Sequence, residues 1–386
     1  MAETKTEAAT VRSQAGLADI VATDSSICFI DGLKGRLVYR GYDVADLAQY
    51  STFREVAYLL WYGKLPTRRE LVPFQDLFTG ALELPWFTIM VLKLLPRRAT
   101  PMEVLRTGVS SLGNFDPDSG LTDPAAVQRK CTRLISRMMM LICAHDCIRR
   151  GLDPIEPLQG RSLPYNFLYM RDGVPPSPEA ERAMEVQLIL HADHELNAST
   201  FAARVVASTM SDVYSSVTAA IGALKGSLHG GANEEVIRML DEIGSPEKAE
   251  SYIKEKLAAK VKIPGFGHRV YKTTDPRATV LRTYAEKLVR GNSDYERSYE
   301  IALKVEQTVI ANTKVYPNVD FFSGIVYRAM GIPNDLFTPI FALSRAVGWT
   351  AHIQEQWVNN RIIRPRAEYV GPMDLKYVPM GKRGKE

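Results

Sequence analysis

From Ile27 to Tyr42 the chain reads ICFIDG, LKG, RLVYRGY: two short stretches of β-branched and aromatic residues separated by glycine turn signals, which predicts a small hairpin. After it, helix signals dominate. Thr52 with Glu55, Thr67 with Glu70, and Thr100-Pro101 with Glu103 all have the spacing at which a Thr and a Glu cap each other's backbone N–H groups at a helix start. The stretch from Ala125 to Arg150 carries Leu134, Met138, Leu141 and Ile142 among arginines and stops at Gly151, which predicts a long core helix. Ser177-Pro178-Glu179 opens another, in which Met184, Leu188 and His191 follow helical spacing and share the inward face.

Segments 201–224 and 232–243 also read as helices, interrupted by Gly226 and by Gly230-Gly231 around His229. A charged helical stretch from Pro246 to Lys260 leads into the loop Ile263-Pro264-Gly265-Phe266-Gly267-His268. Helices then continue to Ala311, and Tyr316-Pro317-Asn318-Val319-Asp320 breaks the pattern as a second loop. No apolar run reaches the roughly 18 residues of a membrane span, and residues 1–15 are small and polar with no apolar core, so they are expected to be a disordered lead rather than a secretory signal.

Composition changes this picture little. At 386 residues, with 46% hydrophobic and 24% charged, the chain is long enough for one large and one smaller domain with a cleft between them. A net charge of +4, from 48 Lys and Arg against 44 Asp and Glu, is too small to argue for a nucleic-acid partner. Cys28, Cys131, Cys143 and Cys147 have neither a paired metal spacing nor the density of a disulfide scaffold, which fits a reducing cytoplasm.

Four of the six histidines stand in polar or glycine-rich settings: His191 and His194 in HADHELNAS, His229 in SLHGGANEE and His268 in PGFGHRVY. Singly, each suits a packed core histidine, a helix cap or a turn; together they suggest a site. The glycines beside His229 let a ligand approach, and an imidazole there can donate to a substrate oxygen. Backbone amides of Pro-Gly-Phe-Gly can hold a flat or phosphorylated ligand. Asp320, before Phe321 and Phe322, has surroundings that would raise its pKa, as a carbon-acid base requires, although a helix cap is the plainer role. Arg277, Arg345 and Arg364 lie near segment ends; each alone suits a surface ion pair, but together they suit a dicarboxylate.

The strings LHADHELNASTFAARVVAS, AAIGALKGSLHGGANEE, GFGHRVYKTTDPRA, YPNVDFFSG, LFTPIFALSRAVGWTAHI and NNRIIRPRAEYVGP resemble citrate synthase in its shorter bacterial and archaeal form, in order, from about Gly16 nearly to the C-terminus. The resemblance implies an all-α, two-domain fold with the small N-terminal hairpin, residues 16–228 and 332–386 forming a large domain and 229–331 a small one. It implies an acyltransferase of the tricarboxylic acid cycle that condenses acetyl-CoA with oxaloacetate and hydrolyses the citryl thioester, with no cofactor and no metal. Asp320 would be the base, His229 would stabilise the enol, and His268 would assist at the keto carbonyl. His194, Arg277 and Arg345 would bind oxaloacetate, joined by Arg364 from the other subunit of a homodimer. CoA would lie on Pro264, Gly265, Phe266 and Gly267, with Arg269, Lys272, Lys314 or Arg366 pairing with its phosphates. One departure is Ser227, where many relatives have proline before Leu-His-Gly.

Three other readings compete. A 2-methylcitrate synthase would keep every residue and take propionyl-CoA, since one methylene changes discrimination by only about 1–3 kcal/mol. A zinc hydrolase would use His191, His194 and Glu195, an i, i+3 histidine pair on one helical face, though without HExxH spacing or a third ligand. A non-catalytic CoA or dicarboxylate sensor has little reason to keep Asp320, His229 and His268 together.

Overall fold

The structure, a computed structural model, describes residues 15–17 and 20–384. The lead expected over residues 1–15 lies outside them except for Ala15, which opens a short 3-10 turn. Two compact units are present: Ser25–Ile362, and a terminal unit formed by the two chain ends. In the latter, the described part of the C-terminal end has no regular secondary structure apart from one 3-10 turn at Met380–Lys382.

The large unit opens with three antiparallel strands, β1 (Cys28–Asp31), β2 (Arg36–Tyr39) and β3 (Tyr42–Asp43), in the order β1-β2-β3 with Phe29 opposite Val38. The hairpin is thus present, with a short third strand that the sequence reading did not anticipate. Sixteen α-helices follow among the described residues. The first eight are α1 (Val44–Tyr50), α2 (Phe53–Tyr62), α3 (Arg68–Thr79), α4 (Trp86–Leu94), α5 (Pro101–Gly113), α6 (Pro124–Arg149), α7 (Leu163–Asp172) and α8 (Pro178–His191). The rest are α9 (Ala198–Ser208), α10 (Val213–Leu224), α11 (Ala232–Ile243), α12 (Pro246–Ala258), α13 (Pro276–Val289), α14 (Ser293–Thr313), α15 (Val319–Ala329) and α16 (Phe337–Val358). The protein is all-α apart from the small sheet. None of the described helices is long and apolar enough to cross a membrane.

Capping sets the helix starts. Thr52 and Thr67 exchange hydrogen bonds with Glu55 and Glu70, and Glu103 accepts the N–H of Thr100 at 2.9 Å. Two expectations need correction. The span 201–224 is two helices, because Met210 takes a left-handed φ of 64° and Asp212 caps a new start by accepting the N–H of Ser215. Asp320 is not in a loop: Asn318 accepts its N–H at 3.0 Å, so Asp320 sits in the first turn of α15.

Two helices buried nearly all round make the core. α6 packs against α3, α5, α7 and α16, and α16 against α2, α5, α6, α8, α9 and α10. Each fully buried Leu, Ile or Met there stabilises the fold by roughly 1.5–3 kcal/mol. α11 to α15 pack chiefly on one another, and α13 reaches back to α1 and α8. That return brings residues more than 80 positions apart in sequence to one place.

Ile135, fully buried on α6, and the Thr67 cap, exposed on α3, separate packing from capping. Ile135→Ala is expected to lower unfolding free energy by about 2–5 kcal/mol and Thr67→Ala by about 1 kcal/mol. Urea midpoints of the two variants measure this, and equal losses would contradict the assignment of the core to α6.

Candidate active site

α8 ends at His191, so the sequence reading of His191 and His194 as neighbours on one helical face is incorrect: His194 lies three residues beyond the helix, in a turn where Glu195 adopts a left-handed φ of 56°. The turn is held from the sheet. Tyr39 of β2 donates its hydroxyl to the carbonyl of Asp193 at 2.9 Å and accepts the Asp193 N–H at 3.2 Å. Asn197 then caps α9. His191 faces inward as expected and donates from Nδ1 to the Gln187 carbonyl at 2.7 Å, since a carbonyl can only accept. The Nε2 atoms of His191 and His194 are buried with no hydrogen-bond partner among the described residues.

His229 sits in the turn between α10 and α11. The turn is closed by hydrogen bonds from the N–H groups of His229 and Gly230 to the Gly226 carbonyl, a closure in which Ser227 needs no proline. A side chain at Gly230 would meet the Leu224 carbonyl at 2.2 Å, so only glycine fits there. His229 Nε2 accepts the backbone N–H of Ser199 at 3.2 Å and lies 2.8 Å from its hydroxyl, which in turn accepts from Trp349. A backbone N–H only donates, so the imidazole proton resides on Nδ1. Burial, and then Arg345, lower the His229 pKa to about 4. The group is a neutral donor.

The loop at 263–268 is tied to the segment before Asp320: Gly267 donates to the Tyr316 carbonyl, Asn318 donates to that of Gly265, and the Asn318 side chain donates to that of Gly267. These bonds use the Gly267 amide, and Phe266 donates its own to Ile263, so these two are not free to cradle a ligand as the sequence reading proposed. His268 has the opposite tautomer to His229. Its Nδ1 accepts the N–H groups of Val270 and Tyr271 at 3.0 and 3.1 Å, which leaves the proton on Nε2. Burial and Arg277 lower its pKa to about 4. Its ring lies 5.0 Å from that of His194 and 4.7 Å from that of Tyr271.

Neither Arg277 nor Arg345 makes a surface ion pair; they are 3% and 2% exposed. Arg277, in the first turn of α13, donates to both oxygens of Asp275 at 3.0 and 2.7 Å. Arg345 lies mid-helix in α16 rather than near a segment end. It donates from Nε to the His191 carbonyl at 2.7 Å and covers the Phe341 ring at 4.6 Å, with no carboxylate at ion-pair distance among the described residues. Burial lowers its pKa to about 10, yet it remains charged at neutral pH. Burial raises the half-buried Asp320 to about 6 against the opposing pull of Arg277 and Arg345. His191, His194 and Asp320 all feel both arginines, while His268 feels Arg277 and His229 feels Arg345. The arrangement combines a carboxylate base with two neutral donors beside an under-neutralised pair of cations.

Of the remaining expected residues, Arg269, Lys272 and Lys314 are exposed on or near these two loops. Arg364 and Arg366 are exposed in the terminal unit. Among the described residues no three His, Cys, Asp or Glu side chains gather as a metal ligand set. Sequence reasoning missed Ser199, Asp275, Tyr271 and Asp193. The DPR string could have suggested the Asp275–Arg277 pair. Asp193, buried beside His352 at 3.3 Å, carries no local signal beyond its place in HADHE.

A family model described as "Citrate synthase, C-terminal domain" matches residues 16–366. The chain is 48% identical to Citrate synthase 2 of Bacillus subtilis, over 95% of this chain and 98% of that one. It is 41% identical to a 2-methylcitrate synthase of Shewanella oneidensis, over 96% and 98%. A citrate synthase from Thermoplasma acidophilum, solved as a ternary complex with carboxymethyl coenzyme A and oxaloacetate, superposes with a TM-score of 0.90 at 38% identity, covering 95% of this chain and 98% of that one. The helical fold, the site built on it and these likenesses agree: the chain belongs to the citrate synthase family of acyltransferase enzymes.

Proposed function

We propose that the protein condenses acetyl-CoA with oxaloacetate and hydrolyses the citryl thioester to citrate and free CoA. The observation that carries this reading is the base-and-donor set: Asp320 raised to about 6, facing two arginines, with His229 and His268 held as neutral donors by backbone N–H groups on their other nitrogens. The α-proton of a thioester is far less acidic than a carboxylic acid, so base and oxyanion donor must act together. Asp320 takes a methyl proton while His229 Nδ1–H stabilises the developing enolate oxygen. The enolate carbon then attacks the keto carbon, and the Nε2–H of His268 supports the oxygen that gains charge. Water cleaves the resulting thioester and CoA leaves as the thiol.

Arg277, Arg345 and the unpartnered Nε2 of His194 form the receptor for the two carboxylates of oxaloacetate, with Arg364 supplied by the neighbouring subunit of a homodimer. The 264–267 loop takes the CoA adenine, and Arg269, Lys272 or Lys314 its phosphates; CoA is a substrate and no cofactor is needed. Helices α11 to α15, within 229–331, act as the smaller domain that closes over the substrates. The 2-methylcitrate reading shares every group named here and has a relative of that name. The motifs GHRVYKTTDPR and HADHE favour acetyl-CoA.

With oxaloacetate present, free-thiol release is expected to give a higher kcat/KM for acetyl-CoA than for propionyl-CoA, by about 10–200-fold for one methylene; a preference for propionyl-CoA would move the protein to propionate metabolism. Asp320→Asn is expected to cut kcat by about 10²–10⁴-fold while oxaloacetate still binds, and unchanged turnover would refute the assigned base. Because the raised carboxyl must be ionised to accept a proton, kcat/KM is expected to fall as pH drops through about 6, while the imidazoles stay neutral down to about 4. An acid limb that survives in Asp320→Asn would place the controlling group elsewhere.

A further inference from the structure

The turn joining β1 to β2 touches the segment that carries His268. Asp31 shapes this turn by accepting the N–H groups of Leu33 and Lys34 at 3.2 and 3.0 Å. The Gly32 carbonyl accepts the N–H of Lys272 at 2.9 Å. A Cβ on Gly32 would lie 2.3 Å from the Val270 carbonyl oxygen and 2.9 Å from its carbon. Three positions on, a Cβ at Gly35 would meet Thr273 Cγ2 at 2.8 Å and the Thr274 carbonyl at 2.9 Å. Backbone therefore presses on backbone at two points along residues 270–274.

The other side of the same peptides faces the site. A trans peptide directs its C=O and its N–H in opposite directions. The Val270 carbonyl meets Gly32, and the N–H of that same peptide unit, belonging to Tyr271, donates to His268 Nδ1 at 3.1 Å. The preceding unit supplies the Val270 N–H to the same nitrogen. The Tyr271 ring lies against both His268 and His194. A push on the Val270 carbonyl thus moves the N–H that fixes the tautomer and direction of His268.

We propose that the β1–β2 turn is a positioning element for the reaction: Gly32, and Gly35 beside it, let the hairpin seat directly on the 270–274 backbone and thereby aim His268 Nε2–H at the keto oxygen. This rests on the role given to His268 under Proposed function. Gly32 has no left-handed φ, so Gly32→Ala introduces the clash alone, and about 1 Å of movement is needed to relieve it. Misplacement by 1 Å can cost on the order of 10²-fold in rate. Gly41, in the next turn, has a φ of +93° and nothing within 4 Å of an added Cβ, so Gly41→Ala introduces strain without a clash and serves as the control.

The experiment compares wild type, Gly32→Ala and Gly41→Ala by thiol-release kinetics, thermal unfolding, and NMR titration of ¹³C-labelled histidines. In Gly32→Ala, kcat should fall by about 10²-fold with a smaller change in the KM for acetyl-CoA. The His268 resonance should shift and titrate closer to the ordinary value of about 6.5, while His229 and the Gly41→Ala protein stay as in wild type. A folded Gly32→Ala protein with wild-type kcat and an unmoved His268 resonance would overturn the proposal. Should Gly32→Ala not fold, Asp31→Ala loosens the turn without a clash, and the same two readouts decide in the same sense. The NMR arm needs no turnover, so a wild-type protein that releases no thiol refutes the functional reading and leaves this inference to be decided by His268 alone.

Discussion

Two guanidinium groups buried together are the constraint on which the rest of the site depends. Removing a charge from water costs several kcal/mol even after relaxation, and of the two only Arg277 has a carboxylate at hydrogen-bond distance among the described residues. Arg345 is held by a carbonyl and an aromatic face instead. The site therefore keeps positive charge that a dianionic substrate would neutralise, and every nearby titratable group responds to it. Burial, reinforced by the arginines, lowers the pKa of the imidazoles and keeps them neutral hydrogen-bond donors at a pH where an isolated histidine would begin to protonate. Asp320 is raised by burial, but the arginines limit the rise, so it is both ionised near neutrality and more basic than an exposed carboxylate.

The backbone then decides where each proton sits. His229 and His268 receive N–H donors on opposite ring nitrogens, from the first turn of α9 and from the 270–271 peptides respectively. Side chains alone could not fix this, because a serine hydroxyl can donate or accept whereas an amide N–H only donates. Glycines allow these approaches: Gly230 lies against the Leu224 carbonyl, and Gly265 against Val236 and Phe321. The binding of the 263–268 loop to the 316–318 segment couples His268 to α15, the helix whose first turn carries Asp320.

Much of this was legible in the sequence, for identifiable reasons. The capping pairs at Thr52 and Thr67, the long α6 and the hairpin follow from local patterns that tertiary context did not override. The strings around His191, His194, His229, His268, Arg277 and Arg345 supplied residues that the fold brings within electrostatic reach of one another. What the sequence could not convey was distance and partnership. It gave Asp320 to a loop because Pro317 and Asn318 read as a break, whereas Asn318 is the cap of α15. Arg345 looked like a segment-end residue because the burial of α16 comes from surrounding helices distant in sequence. Ser199 and Tyr271 have no local signature: each matters only through the histidine packed against it, and only the folded chain makes those neighbours.

The most direct test of the central claim is the tautomeric state of the two histidines in the substrate-free protein at neutral pH, read by long-range ¹H–¹⁵N correlation spectra assigned with His229→Gln and His268→Gln. The account requires two neutral imidazoles, His229 protonated on Nδ1 and His268 on Nε2. An imidazolium at either position, or the same tautomer at both, would contradict it.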